Sequence, residues 1–141
     1  MTQEEKMLLI KDLSARLPYA VTVEHTSGFR GTLHDITVHH MYDDNDNIYD
    51  AVCYTDFFGD EDSIYIEYFK PYLFPLSSMT KEQRYELHDL IHNLNVLAIN
   101  GEIGDWIVSS SEIDWYNKNH FDFRGLIEKG LAIDATGLNI Y

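Results

Sequence analysis

The chain signals helix starts near its beginning and in its second half, but not through its middle, and that division leaves few folds open. Thr2-x-x-Glu5 and Thr80-x-x-Gln83 each set an acid or amide three residues after a hydroxyl, and Ser109-x-x-Glu112 repeats the pattern. Such a pair satisfies the orphan amides of a helix start reciprocally. Behind the first box, Met7, Leu8, Leu9, Ile10, Leu13 and Leu17 recur at helical spacing and predict a helix over 3–16, ended by Pro18. The segment between the first two boxes alternates with period two instead. Strands are expected over 19–25, 29–39, 48–58 and 63–69, parted by turns at 26–28, 43–47 and 59–62, and Pro71 and Pro75 should then break regularity. After Thr80, one helix face should carry Leu87, Leu90, Ile91, Leu94, Leu97 and Ala98, with a stop at Gly101. Ser109 should open a short helix with Ile113, Trp115 and Tyr116. Asp122 should cap another over 123–129, stopped by Gly130, and 131–135 reads as a last strand. The order describes a single α+β domain over 1–141. Its N-terminal helix is followed by an antiparallel meander or small barrel-like sheet, and its C-terminal helices should pack on that sheet.

Charge narrows the partners. The 24 Asp plus Glu outnumber the 10 Lys plus Arg, for a net −14. The excess is concentrated: residues 31–69 hold no Lys or Arg but ten acids, from Asp35 to Glu67. A field of that sign repels phosphate backbones and anionic lipid, so neither a nucleic-acid nor a membrane partner is expected, whereas a basic protein surface would be attracted. The same stretch is rich in Tyr and Phe, and a rigid apolar ring with a polar tip beside acids is an interface composition. The expected contact surface is therefore Asp43, Asp44, Asp46, Tyr49, Asp60, Glu61, Asp62 and Tyr65. One cysteine, Cys53, excludes an intramolecular disulfide framework and suits a reducing, cytoplasmic setting. No run approaches the roughly 20 apolar residues of a membrane span.

Few motifs carry chemistry. His88 and His92 stand one helical turn apart, a spacing that can chelate zinc, with Asp89 beside the first. No third ligand is marked by spacing, so no metal is expected and the pair reads as an edge of the helix core. Asp43, Asn45 and Asn47 mimic the start of a calcium loop, but Ile48 and Tyr54 stand where its Gly and Glu belong, which rejects an EF-hand. Neighbouring His39 and His40 point to opposite faces of a strand and cannot chelate together. Cys53 lacks a nearby cation and reads as a small buried hydrophobe. No nucleophile elbow, P-loop or dinucleotide fingerprint is present, and no cofactor or catalytic residue is expected.

Three segments form a pattern: Ala15-Arg-Leu-Pro-Tyr19, Lys70-Pro-Tyr-Leu-Phe-Pro-Leu-Ser-Ser-Met-Thr80, and Ile113-Asp-Trp115 leading to His120-Phe-Asp-Phe-Arg-Gly-Leu-Ile-Glu-Lys-Gly-Leu-Ala. In this order the pattern resembles a large group of short uncharacterised proteins of gut Bacteroidetes and their phages or mobile elements. It departs from that group at Phe74 and Leu76, where the group has Arg and Met. The resemblance implies an intracellular accessory origin, carries no activity with it, and singles out His120, Asp122 and Arg124 as a motif surface. The leading expectation is thus a non-catalytic protein-binding module, in its sharpest form an acidic decoy for a nucleic-acid channel. The rival is a metal-assisted hydrolase built on His88 and His92, and a weaker third is a small-barrel nucleic-acid binder.

Overall fold

In the computed structural model, which describes residues 1–42, 47–56 and 64–141 and only the backbone of 40–42 and 47–49, helix α1 spans Gln3–Arg16. Its capping box closes: Glu5 N–H donates to Thr2 Oγ1 at 3.1 Å and Thr2 N–H to Glu5 Oε2 at 2.8 Å. Strands β1 (Thr22–His25), β2 (Arg30–Tyr42) and β3 (Asn47–Thr55) then form an antiparallel meander. Strand β4 (Phe69–Pro75) does not continue it. The chain returns to the free side of β1, so the order is β3-β2-β1-β4, and the short strands β5 (Phe121–Asp122) and β6 (Ile133–Asp134) add to β4 in parallel. Helices α2 (Lys81–Ile99) and α3 (Asp105–Lys118) form a hairpin between β4 and β5, which completes an α+β fold.

Four sequence expectations change here. Ser63 lies outside the described residues, and the rest of the strand expected over 63–69 gives way to a 3-10 turn at Ile66–Tyr68, preceded by a single bridge from Tyr65 to Val52. The strand instead occupies the two-proline segment that should have been irregular. Thr26 N–H donates to the Tyr68 carbonyl at 3.0 Å, and the alternation of an antiparallel ladder then puts Pro71, opposite Val23, in a non-hydrogen-bonded pair. Its missing N–H takes nothing from β1. Alternation failed as a signal because Phe69, Pro71, Tyr72 and Leu73 are all buried. Helix α3 starts at Asp105 behind Gly104, not at Ser109, and Glu112 meets the Tyr116 hydroxyl instead of an N-cap amide. Residues 123–129 form turns without a regular helix. Asp122 still braces them, accepting from the N–H groups of Leu126 and Ile127, both at 2.8 Å.

The core lies between α1 and one face of the sheet. Leu9, Ile10 and Leu13 pack on Val21, Val23, Leu33, Ala51, Cys53, Ile66, Phe69 and Leu73. Burial pushes the Cys53 thiol up to about 12, so it stays protonated. A second, smaller cluster of Leu87, Trp115 and Phe121, with Phe74 and Met79 beside it, ties the base of the α2–α3 hairpin to the body. Trp115 stacks on Phe121 at 5.7 Å and donates its Nε1–H to Glu86 at 3.1 Å. Among the described residues no helix is long and apolar enough to cross a membrane.

Where the β1–β4 ladder would make its next pair, Thr22 with Tyr72, a side chain intervenes. Tyr141 accepts from Thr22 N–H at 3.0 Å and donates to the Tyr72 carbonyl at 2.7 Å. One hydroxyl thus replaces a ladder bond, and burial raises its pKa to about 12.

Candidate functional site

Of the expected acidic and aromatic surface, Asp43, Asp44, Asp46, Asp60, Glu61 and Asp62 lie outside the described residues, as does the side chain of Tyr49; Tyr65 is half-buried. Other acids of that segment have structural tasks. Lys6, itself buried, lies 3.4 Å from Asp50 and 3.8 Å from Glu67. Asp56 accepts from Thr32 N–H and pairs with His34, and both contacts hold its carboxyl below the usual range.

The C-terminal motif residues are not a surface. Asp122 is buried, and His120 and Arg124 are half-buried beside the end of α1. Asp12 and Arg16, both fully enclosed, stand one turn apart on that helix, and Arg16 grips the carboxylate with Nε at 2.7 Å and Nη2 at 3.1 Å. Nη2 also donates to the Phe121 carbonyl at 2.7 Å, which pins β5 to α1. Arg124 adds its Nε 3.3 Å from Asp12 Oδ1, the oxygen that also accepts from Arg16 Nη2, and its guanidinium covers the Phe123 ring at 4.4 Å. Two guanidiniums therefore share one carboxylate. His120 sits at φ +62, a left-handed conformation uncommon for a side chain of this size, and stacks on Tyr141 at 3.5 Å. Burial, and then the charge of Arg16, hold its pKa down at about 4, so the ring is neutral at pH 7. These contacts clamp the C-terminal segment to the first helix.

The two histidines of α2 lie outside any cluster. His88 and His92 are exposed, their rings stacked at 6.4 Å and 6°. Among the described residues no three His, Cys, Asp or Glu groups converge as metal ligands. Protein purified without chelator and dialysed should hold clearly less than one zinc per chain by elemental analysis. A full equivalent lost in His88→Ala would overturn that.

A cleft of about 280 Å³ opens on the sheet beside Glu24, Thr26, Glu67, Tyr68 and Lys70. Its Glu24 does not read as a proton donor. One oxygen of Glu24, Oε2, accepts from both the Tyr72 hydroxyl and Arg30, and these contacts hold the carboxyl in its ionised form. A proton donor would need the opposite shift.

The remaining feature is the hairpin. Its base is anchored, but of nineteen residues in α2 only Leu87 is buried, and in α3 only Trp115 and Asn117. At the far end, Ile99 and Trp106 flank the connecting turn at 84% and 73% exposure, with Val96 and Leu97 also open to solvent. The indole lies across Gly104, where a Cβ would come within 2.8 Å of its Cδ1 and Nε1. Glycine there lets the ring fold back over the turn. Helical spacing alone puts Leu97 on the packed face and the Ser109 box puts the start of α3 after Trp106, so the tip is not visible in those patterns. A tryptophan directly after Gly-Asp, in the first turn of a helix, was the available signal.

The fold and these features define an α+β protein with a clamped C-terminal corner and a protruding, apolar-tipped helical hairpin. The chain matches no protein-family model, no curated protein and no solved structure.

Proposed function

We propose that this chain is a small acidic, non-catalytic protein-binding module whose contact surface includes the tip of the α2–α3 hairpin. The exposure of Trp106 and Ile99 on either side of one turn carries the reading. Large apolar side chains contribute most when buried, and a tip that leaves an indole and an isoleucine in water gains by burying them on another protein. Tryptophan is the residue most enriched among interface anchors. The acidic segment over 31–69 complements this by speeding encounter with a basic partner, as a decoy for a nucleic-acid channel would require. An accessory role in a reducing cytoplasm fits the resemblance to phage and mobile-element proteins, and the buried, protonated Cys53 is compatible with it.

Combining Trp106→Ala with Ile99→Asn should leave unfolding free energy within about 1 kcal/mol of the parent, since neither side chain is packed in the core. The same pair should strip away the proteins that co-purify with the parent chain from its native host. If both forms retain the same set, the tip is not the contact surface.

A further inference from the structure

We infer that the surface received by the hairpin tip is a basic protein surface, an apolar pocket or groove rimmed by Lys and Arg. This rests on the protein-binding reading and narrows its partner to the surface that the tip itself enters. Between Arg84 and Lys118 the chain has no Lys or Arg, while Glu86, Asp89, Glu102, Asp105, Glu112 and Asp114 give that stretch six negative charges. Glu86 and Glu112 bond within the hairpin, to Trp115 and Tyr116. Asp89, Glu102, Asp105 and Asp114 face solvent, and Glu102 and Asp105 belong to the turn that carries Trp106. Lys81, Arg84 and Lys118 all lie at the base of the hairpin, away from the tip.

An apolar centre inside a rim of one sign selects its partner by that sign. A second copy docked tip to tip would set one acidic tip without Lys or Arg against another, and phosphate-bearing surfaces are repelled for the same reason. A groove lined by Lys or Arg satisfies both parts of the tip. It buries Trp106 and Ile99 and places cations opposite Glu102 and Asp105. Because the indole is already seated over Gly104, less rotamer freedom is lost on docking.

The test is calorimetric titration of the full chain with an amphipathic helical peptide of about 18 residues, a leucine stripe flanked by lysines, and with its twin carrying Gln for Lys. The cationic peptide should bind, and its affinity should fall about fivefold or more between about 50 and 300 mM salt. Trp106→Ala should weaken it about tenfold or more. Glu102→Gln with Asp105→Asn should weaken it at low salt and leave high-salt binding nearly unchanged, each variant retaining the parent's thermal unfolding. If the cationic peptide binds Trp106→Ala as tightly, the acids attract it elsewhere and the inference falls. Equal binding of the Gln peptide at both salts sinks the basic-partner inference and leaves the protein-binding reading standing. Binding of neither peptide counts against both. A dimer seen by sedimentation and lost in Trp106→Ala would replace the basic partner with a second copy.

Discussion

Asp12→Ala should destabilise the protein by about 3–5 kcal/mol, because it removes the one carboxylate shared by Arg16 and Arg124. Arg16 is fully enclosed, so its charge would be left without an ion-pair partner in a medium that solvates it poorly. For a chain of this length the loss corresponds to a fall in midpoint of roughly 10–15 °C, readable by thermal unfolding. Asp12→Asn should fall between the two, keeping an acceptor but not the charge. Arg124→Ala should cost less, about 1 kcal/mol, since that side chain reaches solvent and Arg16 keeps its bidentate grip. Replacing all three together with Leu, Met and Leu should recover part of the Asp12→Ala loss, because removing a whole buried ion cluster is far less costly than breaking it. If Asp12→Ala unfolds at the parent's midpoint, the clamp between α1 and β5 contributes nothing.

Stability should also fall as pH drops from 6.5 towards 4. His120 stays neutral in the folded protein down to about 4, held there by burial and by Arg16, while the same ring in the unfolded chain protonates near 6.5. Across that window the unfolded state binds the extra proton, so acid favours it. The loss should be on the order of 2 kcal/mol, allowing for the partly solvated ring. The carboxylates Glu24, Asp56 and Asp134, held ionised in the fold, lose their contributions at still lower pH, as it falls through their depressed values. Between pH 6.5 and 5 the slope should therefore belong largely to His120. Denaturant unfolding at pH 7 and pH 5 measures it, and His120→Asn should flatten it, since asparagine tolerates the left-handed backbone and carries no titrating ring. An unchanged slope in that variant would assign the effect to another group.

Much of the local structure was legible because its causes are local. The Thr2 and Thr80 boxes close as their spacing predicts, and α1 ends in the turn before Pro18. Elements whose causes are distant were misread. Strand β4 is a strand because β1 lies beside it in a register that leaves the Pro71 nitrogen off the ladder. Ser109 looked like a cap because nothing in its own neighbourhood reveals that the helix already began at Asp105. Asp122 reads in the sequence as the cap of a helix over 123–129, but it braces turns instead, and its burial beside α1 depends on residues more than a hundred positions away.

By itself the sequence determined the starts of α1 and α2, the α+β order of elements and the sign of the field around the molecule. Each follows from residues within a few positions of one another or from a sum over charges, and neither needs a partner in space. The tertiary structure decided that the chain returns to β1 after β3, that the C-terminal motif is a clamp on α1 instead of a surface, and that Trp106 stands in solvent beside Ile99. Burial is the reason for all three. Whether an apolar or charged side chain is covered depends on what the rest of the chain places against it, and spacing along a sequence does not carry that information.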